Sequence, residues 1–462
     1  MTQVAAAITL RRAQFRDKRL FNRLVRIVED LAAKPNSSVA EACGNWAATK
    51  GVYRFWDSER VTPEGIRASH REATVERIGG QPLVLAIQDT TDLDFTHHPA
   101  TQGLGPLEHP ALRGLKVHSV LAVSEGGVPQ GLLQQAVWAR DPEDVGKRHR
   151  RRQRETADKE SQRWLTAVQG TEDVVPIDAS VVTVADREAD IYDLFALPRR
   201  AGSELLIRAA HNRRVNDVGY LWQTVEQAPL AGHYTFTLQR KEEMPARQAT
   251  LTVRFRQVRV QPPGHRHSRA ALPAVPITAV LAQEEAVPEG VKPVRWLLLT
   301  TLAVTTLEAA LCCVRWYSYR WLIERYHFVL KSGCHVEELQ LETAERLENA
   351  LATYCIVAWR LLWLTYEARR IPEAPSSLAL ETHEWQALYC TIHKTSIPPA
   401  EPPTLQQAVR WIAQLGGFLG RRSDGQPGVK TIWRGLRRLD DIAATWLLLR
   451  PPPPSQLDIT YG

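Results

Sequence analysis

Hydrophobic and polar positions along this chain repeat with two periods, and the points where the period changes divide it into regions. Near the N-terminus, Leu20, Leu24, Ile27, Val28 and Leu31 recur at helical spacing, with Arg16, Arg19, Arg23 and Arg26 off that stripe. Ser38-Val-Ala-Glu41 has the form of a capping box, and Thr62 before Pro63 that of an N-cap with proline in the first turn. Residues 1–70 therefore read as a helical domain of short capped helices. From residue 82 the period becomes two: PLVLAIQD, KVHSVLAVS and GLLQQAVWAR read as three consecutive strands. A helical stretch at 155–169 and a fourth strand, SVVTVAD, complete a β-β-β-α-β order. The strand ELLIRAA comes next. An insertion over about 212–295 then carries the alternating segments HYTFTLQ, ATLTVRFRQVRV and AVPITAVLAQ. PVRWLLLT reads as a buried strand, Trp316–Gly333 as a helix, and Leu347–Leu364 as a long apolar helix closing a central region over 71–372. Residues 373–462 return to helical periodicity after a change in composition.

Composition narrows the class. The 462 residues hold 58 Lys and Arg against 51 Asp and Glu, a formal charge of +7. Much of the cationic charge is arginine, whose fork suits phosphate. The length implies several domains. Cys43, Cys312, Cys313, Cys334, Cys355 and Cys390 form no CxxC or His-spaced set, which supports neither a structural zinc nor a disulfide framework and fits a reducing cytosol. The start has no apolar core of signal-peptide length, and the most apolar later run contains Arg360, so no membrane segment is expected. The run KRHRRRQR at 147–154 reads as a solvated loop facing a polyanion, with a merely charged surface as the alternative.

Within Trp316–Gly333, Tyr317, Arg320, Glu324 and Lys331 stand at offsets 0, +3, +7 and +14. On a continuous α-helix these fall within an arc of about 60°. Asp89 and Asp186 each end an apolar strand, where α/β folds commonly build sites. Two strand-end carboxylates and one helical carboxylate suit the binding of two Mg²⁺ ions for an in-line phosphoryl displacement. Arg320 and Lys331 would bind backbone phosphates beside them. Each residue alone has a bland alternative: a strand-end acid as a turn residue, and Arg320 with Glu324 as an i,i+4 ion pair. Asp92 and Asp94 crowd Asp89 and read as loop acids.

The segment YSYRWLIERYHFVLKSG resembles the Y-(2)-R-(3)-E-(6)-K signature of the insertion sequence four branch of the bacterial DDE transposases, at all four positions. AIQDTTDL, VHSVL, VADREADIY, WLLLT and WIAQLGGFLG match that branch in the same order. The resemblance covers nearly the whole chain. It implies an α/β fold with an RNase H-like catalytic core interrupted by a β insertion and flanked by helical N- and C-terminal domains. The N-terminal domain would bind DNA and the C-terminal one would dimerise. Asp89, Asp186 and Glu324 are implied as catalytic metal ligands, with two Mg²⁺ ions that Mn²⁺ can replace. Tyr317, Arg320 and Lys331 are implied contacts to transposon-end DNA, as are Arg208, His211 and Arg213 in IRAAHNRR. Trp296 is implied to stack on a flipped base, a contact worth about 1–3 kcal/mol.

The resemblance further implies cut-and-paste transposition: end nicking, hairpin formation, hairpin opening and transfer of the 3′-OH into target DNA. Its partners would be double-stranded end DNA, target DNA and a second copy of the chain, in a bacterial cytoplasm and nucleoid. Two other readings keep parts of this pattern: a nuclease of the same fold that does not join strands, and a DNA-binding regulator that has lost catalysis.

Overall fold

Each N-terminal helix begins where a polar side chain can take up a free amide. In a computed structural model, described for residues 9–450 except 12–14, 16, 110, 143–158, 217–218, 239–246, 265–271 and 422–423, helix α1 is Lys18–Ala33, α2 Val39–Cys43, α3 Trp46–Trp56 and α4 Pro63–Ile78. The Arg-rich run 147–154 lies outside the described residues. Asp17 accepts from the Arg19 amide at 2.8 Å, Ser38 from Glu41 at 3.2 Å, Asn45 from Ala48 at 2.9 Å and Thr62 from Gly65 at 3.0 Å. A cap of this kind stabilises a helix by about 1 kcal/mol. The stripe Leu24, Ile27, Val28 and Leu31 is buried, as its period requires.

The strands are β1 (Leu83–Asp94), β2 (Gly105–Pro106), β3 (Arg113–Ser124), β4 (Pro129–Trp138), β5 (Ser180–Ala185), β6 (Ser203–Arg208), β7 (Leu230–Leu238), β8 (Arg247–Val260), β9 (Val275–Glu284) and β10 (Arg295–Thr300), with helix α5 (Gln162–Val174) between β4 and β5. Among the described residues they form one ten-stranded sheet in the order β2-β3-β1-β5-β6-β10-β9-β8-β7, with β4 paired to β3. Strands β4, β3 and β1 run antiparallel, and β5 and β6 follow parallel to β1. That arrangement is the RNase H-like core. β10 joins β6 antiparallel, and β9, β8 and β7 continue from it, so the inserted strands lengthen the core sheet.

Two expectations of strand and helix extent are corrected. β1 does not end at Asp89. It runs to Asp94, with Asp89 opposite Ser119 of β3. What ends is the parallel partner: pairing with β5 stops at Ile87–Val184, and beyond that point side chains take its place on β1, with Lys331 donating to the Asp92 carbonyl and Glu337 accepting from the Asp94 amide. Asp92 and Asp94 are accordingly strand residues, and Asp92 accepts from the buried Lys116 ammonium at 2.6 Å.

The motif segment is also not one α-helix. Helix α6 (Leu307–Ser318) tightens at Tyr319 and Arg320, whose amides bond three residues back to Trp316 and Tyr317 at 3.1 and 3.0 Å. Helix α7 (Trp321–Phe328) follows, then a π turn at Val329–Gly333. A 3₁₀ step over-rotates the chain and a π turn under-rotates it, so Lys331 departs from the ideal stripe.

Helix α8 (Ala344–Arg370) is buried along most of its length and ties the other parts together. Trp56 donates its indole N–H to Thr353 at 3.2 Å, and Asn349 donates to the Trp56 carbonyl at 2.9 Å. Trp359 donates to the Pro129 carbonyl at 3.2 Å, reaching the sheet. Helices α9 (Thr382–His393), α10 (Leu405–Leu415) and α11 (Val429–Leu449) follow. α10 and α11 cross closely at Gly435, where an added Cβ would lie 1.7 Å from the Ile412 carbonyl oxygen.

Candidate active site

The register of β1 and β5 brings the two aspartates to the same level. Ile87 pairs with Val184, and Asp89 and Asp186 each lie two residues further on. Asp186 begins a 3₁₀ turn over Arg187–Ala189, and its carboxylate accepts from the Glu188 amide at 2.8 Å. Glu324 stands in the first turn of α7 and forms an ion pair with Arg320. The second arm of that guanidinium lies 3.7 Å from the Asp89 carboxylate.

Asp89 senses both other acids. Burial, then the negative charge of Asp186, pushes its carboxyl up to about 7, and Glu324 adds to the rise. The Thr90 amide, donating to Asp89 at 2.8 Å, and the Arg320 charge oppose that rise without cancelling it. A buried acid facing two like charges is an electrostatically poised site.

An aromatic run continues from the acids. Tyr317 is buried, and burial raises its phenol above the usual range. Its hydroxyl lies beside Arg208 with no hydrogen bond of strict geometry. Trp296 meets the Tyr317 ring edge-on at 5.4 Å and Phe236 at 5.7 Å, and is 8% exposed. The implied stacking face of this indole is therefore covered in the free protein. The neighbouring Trp321 is 49% exposed, with the Arg320 guanidinium 5.4 Å from its ring centroid.

Three family models cover successive parts of the chain. Residues 3–61 match the transposase DNA-binding domain, 111–360 the transposase DDE domain and 356–445 the transposase Tn5 dimerisation domain. The chain belongs to the DDE transposases. The Tn5 match agrees with the insertion sequence four branch. Asp186 and Glu324 fall inside the DDE match, and Asp89 lies before its start. A solved structure, the piggyBac transposase synaptic complex with hairpin DNA, aligns over 96% of this chain and 75% of that chain, at 8% identity and a TM-score of 0.39. That likeness is too distant to bear on function.

Apart from the His211 side chain, the remaining candidate contacts of this transposase are engaged by its own atoms. Lys331 donates to the Asp92 carbonyl at 2.9 Å and lies 3.1 Å from Glu337. Arg208 donates to the Arg295 carbonyl at 3.1 Å. His211 is exposed, and its amide donates to Asp190 at 3.0 Å. Arg213 is paired with the buried Asp190 carboxylate at 2.6 Å.

DDE membership implies divalent-metal chemistry. Among the described residues no three His, Cys, Asp or Glu side chains stand at metal-holding spacing, and Arg320 lies between Asp89 and Glu324. The donor set nevertheless fits a hard dication: three carboxylates offering oxygen ligands only, with Asp186 and Glu324 close enough to raise the proton affinity of Asp89.

Two features escaped the sequence reading. Trp321 sits inside the motif, and its half-exposed ring beside Arg320 was legible only as part of an apolar helix. Arg163, on α5, contacts Thr90 and Glu188, the neighbours of the two aspartates. No local signal distinguishes it from other helix arginines.

Proposed function

We propose that this DDE transposase works by cut-and-paste: it cleaves transposon ends through a hairpin intermediate and transfers the 3′-OH strands into target DNA by two-metal phosphoryl transfer. The observation that carries this reading is the meeting of Asp89, Asp186 and Glu324 beside a phosphate-suited arginine and an exposed indole. Asp89, Asp186 and Glu324 would hold two Mg²⁺ ions. Bound there, the metal pair would supply activation of the attacking oxygen and charge stabilisation of the leaving one.

The chain's own groups would then bind and orient DNA. Arg320 and Tyr317 would exchange their internal neighbours for backbone phosphates of the end, with Lys331, Arg208 and His211 extending the contact. Arg213 would act by holding the loop that presents His211, since its guanidinium is committed to Asp190. Trp296 could stack on a flipped base only after Phe236 or Tyr317 moves aside. The domain limits that serve this function would be 1–70 for end binding, 71–372 for catalysis and 373–462 for pairing of two copies in a synaptic complex.

The test is incubation of purified protein with a linear DNA carrying its element's ends, Mg²⁺ and a supercoiled target, with Asp186→Ala alongside. Hairpin ends and joined product that disappear in the variant are the expected result. Cleavage without hairpin or joining would assign a nuclease instead, and binding without cleavage a regulator. Among the described residues no helix is long and apolar enough to cross a membrane.

A further inference from the structure

Asp89 stands on β1 and Asp186 just past the end of β5, and one side chain outside the family motif joins their surroundings. Arg163 lies in the first turn of α5, with its side chain 15% exposed. Its Nε donates to Thr90 Oγ1 at 2.9 Å, next in the chain to Asp89. Its Nη2 donates to Glu188 Oε2 at 2.8 Å, in the turn that Asp186 caps. Nη1 closes onto the Glu160 carbonyl at 2.9 Å, so all three nitrogens are engaged. The guanidinium lies 5.8 Å from the Trp138 ring centroid and 5.4 Å from that of Trp164, which limit its movement.

The anchor on the Asp89 side is itself fixed. Thr90 Oγ1 also lies 2.9 Å from His118 Nδ1, and His118 Nε2 lies 3.3 Å from Gln88 Oε1. Arginine can only donate, and the Gln88 carbonyl can only accept. The Thr90 hydroxyl thus accepts from Arg163, and in the tautomer with the ring proton on Nε2 toward Gln88 it gives its own proton to Nδ1. His118 is buried edge-on against Trp164 at 4.6 Å, a setting that favours the neutral ring this relay requires. A cation in the first turn of a helix opposes the helix dipole, so local helix energetics do not explain Arg163. Its contacts do.

We propose that Arg163 is a positioning residue that sets the separation of the Asp89 and Asp186 carboxylates and so preorganises them toward a divalent cation. The proposal rests on the reading of those aspartates as metal ligands. Arg320 pairs with the Asp89 and Glu324 carboxylates directly, whereas Arg163 braces Thr90 and Glu188, the neighbours of Asp89 and Asp186, without touching either carboxylate.

The test uses full-length protein with and without an end duplex. Mn²⁺ occupancy is read by electron paramagnetic resonance, the Mg²⁺ dependence of single-turnover cleavage is measured in parallel, and melting in EDTA reports the fold. Arg163→Ala is expected to raise the half-occupancy concentration of Mn²⁺ and the Mg²⁺ midpoint together by about 10–100-fold, the range seen for residues that orient metal ligands. End-duplex affinity and EDTA melting should be unchanged. Arg163→Lys, which reaches one anchor at a time, should recover part of the shift. Glu188→Gln, at the exposed end of the brace, should produce a smaller shift that adds nothing to Arg163→Ala. Unchanged Mn²⁺ occupancy with a slower saturated rate, or weaker end binding, would overturn the proposal in favour of a DNA contact. Lower EDTA melting for Arg163→Ala with no metal effect of Glu188→Gln would overturn it in favour of a purely structural role. Wild-type Mn²⁺ occupancy in Asp186→Ala would have a different meaning: the metal-ligand reading itself would fall, and the proposal with it.

Discussion

Two arginine-held aspartates of this molecule differ in how completely they are satisfied. Asp190 is fully buried and accepts from the Ala210 amide at 2.8 Å, the His211 amide at 3.0 Å and the Arg213 guanidinium through Nε at 3.0 Å and Nη2 at 2.6 Å. Asp89 accepts from one amide, stands 3.7 Å from an arginine shared with Glu324, and faces two like charges. The first aspartate closes a loop. The second is left short of positive charge, the condition under which a carboxylate draws in a cation. Ion pairing alone therefore separates nothing in this protein; the count of donors and the sign of the neighbouring charges do.

The comparison breaks most sharply in activity. Asp186→Ala is expected to lower end cleavage by about 10³-fold or more, several kcal/mol of transition-state stabilisation, while changing stability in EDTA by no more than about 1 kcal/mol, the worth of one turn cap. An unaltered cleavage rate would remove Asp186 from the chemistry.

Next in size is a loss of stability. Asp190→Ala strands the mostly buried Arg213 charge and should destabilise the protein by about 3–5 kcal/mol, read as an earlier urea transition. A change below about 1 kcal/mol would show that the Asp190 cluster is not the structural member of the pair.

Asp89→Asn should act in the opposite direction. The Asp89 pKa is raised from 3.8 to about 7, so its contribution to folding is fullest below pH 3.8 and is lost as pH rises through 7. With EDTA present, the variant should be more stable than the parent at pH 7.5 by about 1–3 kcal/mol, and the difference should shrink toward pH 4. Melting curves across that range would refute the expected poise if the two proteins ran parallel. In Mg²⁺ the same variant should cleave poorly.

The smallest expected effect falls on Tyr317→Phe. The hydroxyl makes no hydrogen bond of strict geometry in the free protein, so melting should move little. If it contacts a phosphate in the complex, end-duplex affinity should fall about tenfold, the worth of a hydrogen bond to a charged group. Equal affinities would place the tyrosine in the aromatic packing alone.

Much of the architecture is legible before folding. SVVTVAD and PVRWLLLT read as buried strands because short apolar runs bounded by turns have few other solutions, and both are strands. Thr62-Pro63 and Ser38 announce helix starts through their capping chemistry. Other features stay hidden. Asp89 looks like a strand end, yet the strand continues, because what ends there is the neighbouring strand. Tyr317, Arg320, Glu324 and Lys331 match one helical stripe, yet a 3₁₀ step and a π turn interrupt it. Trp296 gives no sign in sequence that Phe236 and Tyr317 cover it.

The family, the strand and helix periods, the basic balance, and the three acids and motif residues as candidates were all present in the sequence alone. These are short-range or compositional properties, carried by spacing along one segment and by side-chain chemistry. The tertiary structure decided which carboxylates confront each other, where β1 loses its strand partner, that Lys331 and Arg213 are internally engaged, and that Arg163 contacts the neighbours of both aspartates. Those outcomes depend on sheet order and on the register of Ile87 against Val184. They join residues far apart in the chain through packing that no local window contains.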